Sequence, residues 1–286
     1  LRRGADRACD GCALSDERGS GHVAARSRGV VQLFCSATEC GGAFLFVPAT
    51  GIGMLRTMTF APLGDSAVVV TLGSSINEAA LLRVRSLTAA LERERANGIV
   101  DVVPAYTTVA VFYDLGLFGG GDESPYERVC RTIATRAAKA EDVMEREARR
   151  EIEIPVCYGG AFGPDLEEVA RHGNISPEEV IALHSGASYV VHAVGFTPGF
   201  PYLGGLPEKL HTPRRATPRQ QVPAGSVGIG GMQTGIYPIA SPGGWQLIGR
   251  TPLTLFRLNE KPPALLSVSD RIKFRAITAE EFAAWK

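Results

Sequence analysis

The sequence has no surplus of charge: 30 Lys and Arg stand against 30 Asp and Glu in 286 residues. A neutral chain has no general attraction for phosphate backbones or anionic lipid, which argues against a nucleic-acid or membrane-surface partner. Long apolar runs are missing too. The best candidate, residues 43–55, is short and interrupted by Pro48, Gly51 and Gly53, so no helical membrane span is expected. The opening residues are rich in Arg, Gly and Ser rather than pairing a basic start with an apolar stretch. No secretory signal is read there, and the cytoplasm is the expected compartment. No Gly-Lys pair occurs, which excludes a Gly-x-x-x-x-Gly-Lys-Ser/Thr phosphate loop. Gly-x-Ser-x-Gly and His-Glu-x-x-His are also missing, and with them the α/β-hydrolase elbow and the helical zinc site.

Cysteine is sparse outside the start of the chain. Cys9, Cys12, Cys35 and Cys40 fall in the first forty residues, and Cys9-x-x-Cys12 invites a zinc reading. The second pair is spaced too widely to complete one, and no metal is expected. Residues 1–56 read as a poorly ordered or non-native leader, because foldable patterning begins only near Met54 or Met58. Cys130 and Cys157 read as small buried hydrophobes.

What is present is 45% hydrophobic and 21% charged, enough for two moderate cores. Residues 67–72 have the β-branched content of a buried strand. Ser75 with Glu78 predicts a capping box, followed by Leu81, Val84, Leu87 and Leu91 at helical spacing. Residues 99–103 and 107–113 predict two more strands, and Ser124-Pro125 with Glu127 opens a second helix. The mixed charges of residues 141–150 predict a solvated helical face. Together these predict a small α+β domain over residues 57–150. Beyond it, residues 151–158 and 188–194 read as strands, and Asp165/Glu168 and Ser176-Pro177/Glu179 as helix starts. Asp165 is read as a helix cap, with a catalytic acid as the other reading.

Between residues 195 and 252 there are 12 glycines and 9 prolines, which excludes long helices. Short strands are expected at 226–229, 236–239, 245–248, 254–257, 265–268 and 271–276, closed by a helix at 278–285. Residues 151–286 are thus expected to hold an all-β domain, a barrel or sandwich. Its Pro- and Gly-stiffened loops could hold Arg214, Arg215, Arg219, Gln233, Tyr237 and Arg250 towards one concave face. Guanidinium forks suit carboxylate, phosphate or an acyl oxyanion. Tyr202, Tyr237 and Trp245 are candidate pocket walls, with the β-domain core as the alternative. His192 alternates with Val191 and Ala193 and is a candidate acid/base, although no carboxylate partner is recognisable in sequence.

The runs Gly195-Phe-Thr-Pro-Gly-Phe-Pro-Tyr, Gln233-Thr-Gly-Ile-Tyr-Pro and Trp245-Gln-Leu-Ile-Gly-Arg-Thr-Pro, with Tyr158-Gly-Gly-x-Phe-Gly-Pro-Asp-Leu upstream, resemble the 5-oxoprolinase B-subunit family. That family belongs to the carboxyltransferase domain, subdomains C and D, and overlaps allophanate hydrolase subunit 1 and the KipI-type kinase inhibitors. The likeness runs from Thr57 to the end of the chain. It implies a small α+β domain followed by a cyclophilin-like β-barrel. It implies a non-autonomous hydrolase subunit, working with a paralogous carboxyltransferase-like C-subunit and a separate A-subunit. ATP, with magnesium at the level of the complex, would drive opening of 5-oxo-L-proline to L-glutamate. The residues singled out for that chemistry are His192, Arg214 and Arg219 as catalytic groups, and Gln233, Tyr237, Tyr202, Trp245 and Arg250 as substrate-binding groups. Two alternatives follow from the same resemblance: an inhibitor that docks on a sporulation histidine kinase, and a component of allophanate or urea metabolism. No biotin-attachment Met-Lys pair occurs, so biotin in that last case would have to arrive on a partner.

Overall fold

The computed structural model describes residues 43–44, 58–93, 95–120, 122–139 and 150–285. All of the expected leader except residues 43–44, its four cysteines included, and all but the last residue of the expected charged helical face lie outside the described residues. All described residues belong to the unit Leu33–Lys286. The fold is α+β.

A first layer is an antiparallel sheet. Strand β1 (Ala43–Phe44) pairs with β2 (Thr59–Pro62), β2 with β3 (Ala67–Thr71), β3 with β5 (Thr108–Tyr113), and β5 with β4 (Ile99–Ala105). Helices α1 (Glu78–Arg93) and α3 (Pro125–Lys139) bury Val84, Leu87, Leu91, Val129 and Ile133 against Val68, Val70, Val109 and Val111. Each such side chain contributes about 1.5–3 kcal/mol on burial. The short α2 (Leu115–Phe118) adds Phe118 to this core. Ser124 and Glu127 do form a capping box, with Glu127 N–H donating to Ser124 Oγ at 3.2 Å and Ser124 N–H to Glu127 Oε2 at 3.0 Å. The start of α1 differs from expectation. Asn77, not Ser75, caps it by accepting from Ala80 N–H at 2.8 Å, while Asn77 Nδ2 donates to Ser75 Oγ.

The second layer is a closed seven-stranded barrel. Around the ring run β7 (Ser188–Val194), β14 (Arg271–Ile277), β6 (Glu151–Tyr158), β13 (Gln246–Arg250), β10 (Ser226–Gly230), β11 (Gln233–Ile236) and β8 (Pro201–Gly204), and β8 pairs back to β7. All pairings are antiparallel except β14 with β6. Val227, Ile229, Ile236, Leu203, Ile154 and Phe274 fill the interior, joined by Leu166 and Val169 of α4 (Leu166–Gly173) and Val180 of α5 (Pro177–Gly186). Ser176 caps α5 by accepting from Glu179 N–H, and Thr278 caps α6 (Ala279–Ala284) in a complete capping box. A two-stranded ribbon, β9 (Arg219–Val222) with β12 (Ser241–Gly243), completes the described strands.

Three expected strands fail for identifiable reasons. Residues 254–257 make only the isolated bridge Phe256–Ala264, and residues 265–268 form no strand. Pro252, Pro262 and Pro263 withhold donors there, and Leu255 and Leu266 enter the barrel core from loop backbone. The strand expected at 236–239 lies earlier, at Gln233–Ile236. Pro238 cannot donate, and the ladder closes with Tyr237 N–H to Ser226 O and Gly225 N–H to Tyr237 O. The two layers meet through one strand pair, Ala105 opposite Ala193.

Candidate active site

Alternation along β10 and β11 sends Val227, Ile229 and Ile236 into the barrel, leaving Gly228, Gly230 and Gly235 on the outer face. Aromatic rings pack directly on that glycine floor. A Cβ at Gly230 would come within 2.6–2.7 Å of the Trp245 indole, so the floor tolerates no larger residue there. Phe200 is the hub of the layer, with its ring centroid 4.9 Å from Tyr202, 5.1 Å from Tyr237 and 5.4 Å from Trp245, all edge-on.

The loop that carries the arginines is fastened to this face from both sides. Gln246 Nε2 donates to Pro213 O at 3.1 Å and Arg215 N–H to Gly244 O at 2.7 Å. Asp165 is the main anchor. It stands at the N-cap position of α4, as the sequence predicts, but its side chain makes no cap bond there. Its buried carboxylate instead accepts from Arg215 Nη1 at 3.0 Å, Arg219 Nη2 at 2.8 Å and Leu247 N–H at 2.7 Å. Arg214, between Pro213 and Arg215, is left out of this net. It is exposed, forms no ion pair among the described residues, and places its guanidinium carbon 6.0 Å from the Trp245 ring centroid.

On the neighbouring strand, the β7–β8 register shifts between Val191 and Ala193, so His192 sits in a bulge. Its ring lies against Gly204, where a Cβ would run into the imidazole. His192 Nδ1 is buried without a hydrogen-bond partner, and burial pulls the imidazole pKa below its ordinary value. The ring is therefore neutral at neutral pH and can accept a proton.

Tyr106, which the sequence reading passed over, joins this group from the other layer. It occupies the β4–β5 turn with φ +52°, donates its backbone N–H to His192 O at 2.8 Å and its hydroxyl to Gln233 Oε1 at 3.3 Å. Its ring stacks on His192 with centroids 6.3 Å apart and planes 17° apart, and lies 6.2 Å from Tyr202. Burial raises the Tyr106 hydroxyl pKa, with the Gln233 hydrogen bond and the Arg214 charge pulling the other way. A single tyrosine in a Thr-rich hairpin carries no sequence signal. Only the unusual backbone, invisible in sequence, marks it.

The structure thus gathers His192, Tyr202, Gln233, Trp245 and Arg214 around Tyr106 on one outer face of the barrel. Tyr237 lies beneath them, almost fully buried, its hydroxyl pKa raised by burial and drawn back by the Trp245 backbone, Arg214 and Arg219. Arg219 adjoins the group but is engaged by Asp165. Arg250 stands apart: it pairs with Ser226 at the far end of β10 from the Gly230–Gln233 turn, and its Nε donates to Ala224 O at 2.8 Å. Chemically, the face offers a cation free to take a carboxylate, a carboxamide with donor capacity, flat apolar walls and a neutral imidazole. The described residues contain no group of three or more His, Cys, Asp and Glu that could hold a metal ion. Asp165, which adjoins this face through the arginine loop, is consumed by Arg215 and Arg219. The donor set on this face therefore does not fit a magnesium–nucleotide site of this chain's own.

The carboxyltransferase-domain model for subdomains C and D matches residues 58–266. The chain is 48% identical over 228 residues to the 5-oxoprolinase B-subunit of Bacillus subtilis, covering 78% of this chain and 95% of that one. Among solved structures it resembles TTHA0988, with 36% identity and a TM-score of 0.64 over 74% of this chain. The match spans 40% of that longer protein's length. It also superposes on the Kluyveromyces lactis urea carboxylase with a TM-score of 0.65 over 84% of this chain and 24% of that one. At 21% identity, that likeness bears on the fold alone. The alignment over nearly the whole length of the Bacillus protein and the domain match agree: the chain belongs to the 5-oxoprolinase B-subunit family of carboxyltransferase-domain proteins.

Proposed function

We propose that this chain is the B-subunit of an ATP-dependent 5-oxoprolinase, contributing to hydrolysis of 5-oxo-L-proline to L-glutamate together with a carboxyltransferase-like C-subunit and an A-subunit. The observation that carries the reading is the near full-length identity to proteins named as 5-oxoprolinase B-subunits, 48% and 46% in two organisms. The outer-face residues supply a chemical rationale. A lactam is resonance-stabilised and its nitrogen is a poor leaving group, so the reaction needs its carbonyl polarised, its ring held and a water activated.

In this reading Arg214 receives the substrate carboxylate, and Trp245 and Tyr202 flank the flat ring. Gln233 keeps its Nε2 hydrogens for the lactam oxygen, because its Oε1 is taken by Tyr106. His192, neutral at working pH, accepts a proton from the attacking water. Arg219 acts at one remove, by holding the loop that carries Arg214. In this reading magnesium–ATP is bound at the level of the assembled complex.

The test is reconstitution. The purified chain mixed with its two partner proteins is expected to release phosphate only when 5-oxoproline is present, and omission of the chain is expected to abolish that release. Phosphate release that is unaffected by the chain or by 5-oxoproline would overturn the reading.

A further inference from the structure

We propose that Tyr106, at the tip of the β4–β5 hairpin, is a positioning residue of the barrel-face site: its hydroxyl fixes the Gln233 carboxamide and its ring covers the His192 imidazole. The proposal rests on the functional reading above for its kinetic arm, and on geometry alone for the rest. Three contacts converge on one residue from a different layer of the molecule: the hydroxyl to Gln233 Oε1, the backbone N–H to His192 O and the near-parallel ring over His192. The backbone is held at φ +52°, a region that a tyrosine enters only at a cost in strain. The surrounding structure must compensate for that strain, and strain of this kind concentrates at functional sites.

The consequence for chemistry is specific. With Oε1 engaged, Gln233 is left to act as a donor. With the Tyr106 ring stacked beside it, His192 is partly buried, and burial is what lowers its pKa. The groups facing His192 are Tyr106 from the hairpin and the backbone of Gly204 from β8, with Tyr202 reaching the Tyr106 ring rather than the imidazole. Gln233 and Arg214 complete the polar surroundings of Tyr106. No charged group contributes to the His192 shift. The first layer of the molecule thereby governs the protonation of a residue in the second.

The experiment uses the full chain and two variants. At positive φ, glycine is the residue the backbone favours, so Tyr106→Gly removes the side chain while relieving the hairpin. Tyr106→Phe keeps the ring and removes only the hydroxyl. His192 is followed by NMR titration of its imidazole, assigned by the signal lost in His192→Gln. In Tyr106→Gly the titration midpoint is expected to rise towards the ordinary histidine value of 6.5. In the reconstituted complex kcat/KM for 5-oxoproline is expected to fall by at least about tenfold. In Tyr106→Phe the midpoint is expected to stay low while KM rises a few-fold and kcat holds. An unmoved midpoint in Tyr106→Gly, or a KM in Tyr106→Phe equal to wild type, would overturn the proposal. A wild-type complex without turnover would instead sink the functional reading, and the titration alone would then decide the role of Tyr106.

Discussion

His184 and His192 lie on opposite sides of the same barrel wall. His184 projects from α5 into the interior, where Tyr158 O–H meets its Nδ1 at 2.8 Å and its Nε2 meets Thr234 Oγ1 at 3.0 Å. Thr234 spends its own hydrogen on Gly228 O at 3.0 Å, so Nε2 must carry the proton and Nδ1 must accept. Burial drives this imidazole down to about 3. His192, on the outer face, is also held neutral by burial, yet its buried Nδ1 has no partner. Burial is therefore common to the two histidines; what separates them is the accounting of their nitrogens. The arginines divide in the same way. Arg215 and Arg219 are taken up by Asp165, and Arg214 is not.

Four experiments probe that contrast, beginning with the most damaging substitution. Asp165→Ala strands two guanidinium groups and the Leu247 amide, and should cost about 3–5 kcal/mol in urea-monitored unfolding. A loss below about 1 kcal/mol would mean the anchor is ornamental. His192→Gln should leave the thermal midpoint within a few degrees while lowering turnover in the complex by about a hundredfold, the lower range for a lost general base. Unfolding at neutral pH without a specific kinetic loss would place His192 with His184 as a structural residue.

The third experiment is a pH series of stability. His184 titrates near 3 in the fold against 6.5 ordinarily, so the unfolded chain binds the extra proton. Its contribution is fully present above pH 6.5 and is lost as pH falls towards 3, at about 1.4 kcal/mol per pH unit. His184→Leu should flatten that slope, and an unchanged slope would refute the assignment. Arg214→Ala should raise the KM for 5-oxoproline about tenfold, equivalent to about 1.4 kcal/mol, with stability within about 0.5 kcal/mol of wild type. An equal drop in kcat with KM unchanged would move Arg214 from substrate binding to the transition state.

Much of the architecture could be read from the chain. The helix of Leu81, Val84, Leu87 and Leu91, the Ser124/Glu127 box and the strands 151–158 and 188–194 all rest on local periodicity and capping, which the structure retains. The failures are where one chemistry has two uses. Asp165 has the sequence signature of a cap, but a carboxylate buried 50 and 54 residues from two arginines gains more by pairing with them. Leu255 and Leu266 look like strand residues because the core needs them apolar, yet nearby prolines prevent a ladder. Within the site, Arg214, Gln233, Trp245 and His192 were legible as residue types in a stiff Gly/Pro segment. Arg219 and Arg250 share that signature, and their different surroundings are set by distant partners.

Spacing between near neighbours is enough to set the residue inventory, the alternation that fills the barrel and the Gly- and Pro-rich character of the late segment, so a linear reading recovers them. Which arginine stays free, which histidine keeps an unpartnered nitrogen, and the reach of Tyr106 from another layer to the barrel face are properties of the folded chain. Those outcomes depend on which groups meet across distant parts of the chain: Asp165 lies 50 and 54 positions from Arg215 and Arg219, and Tyr106 and Gln233 are 127 positions apart, separations no local pattern encodes.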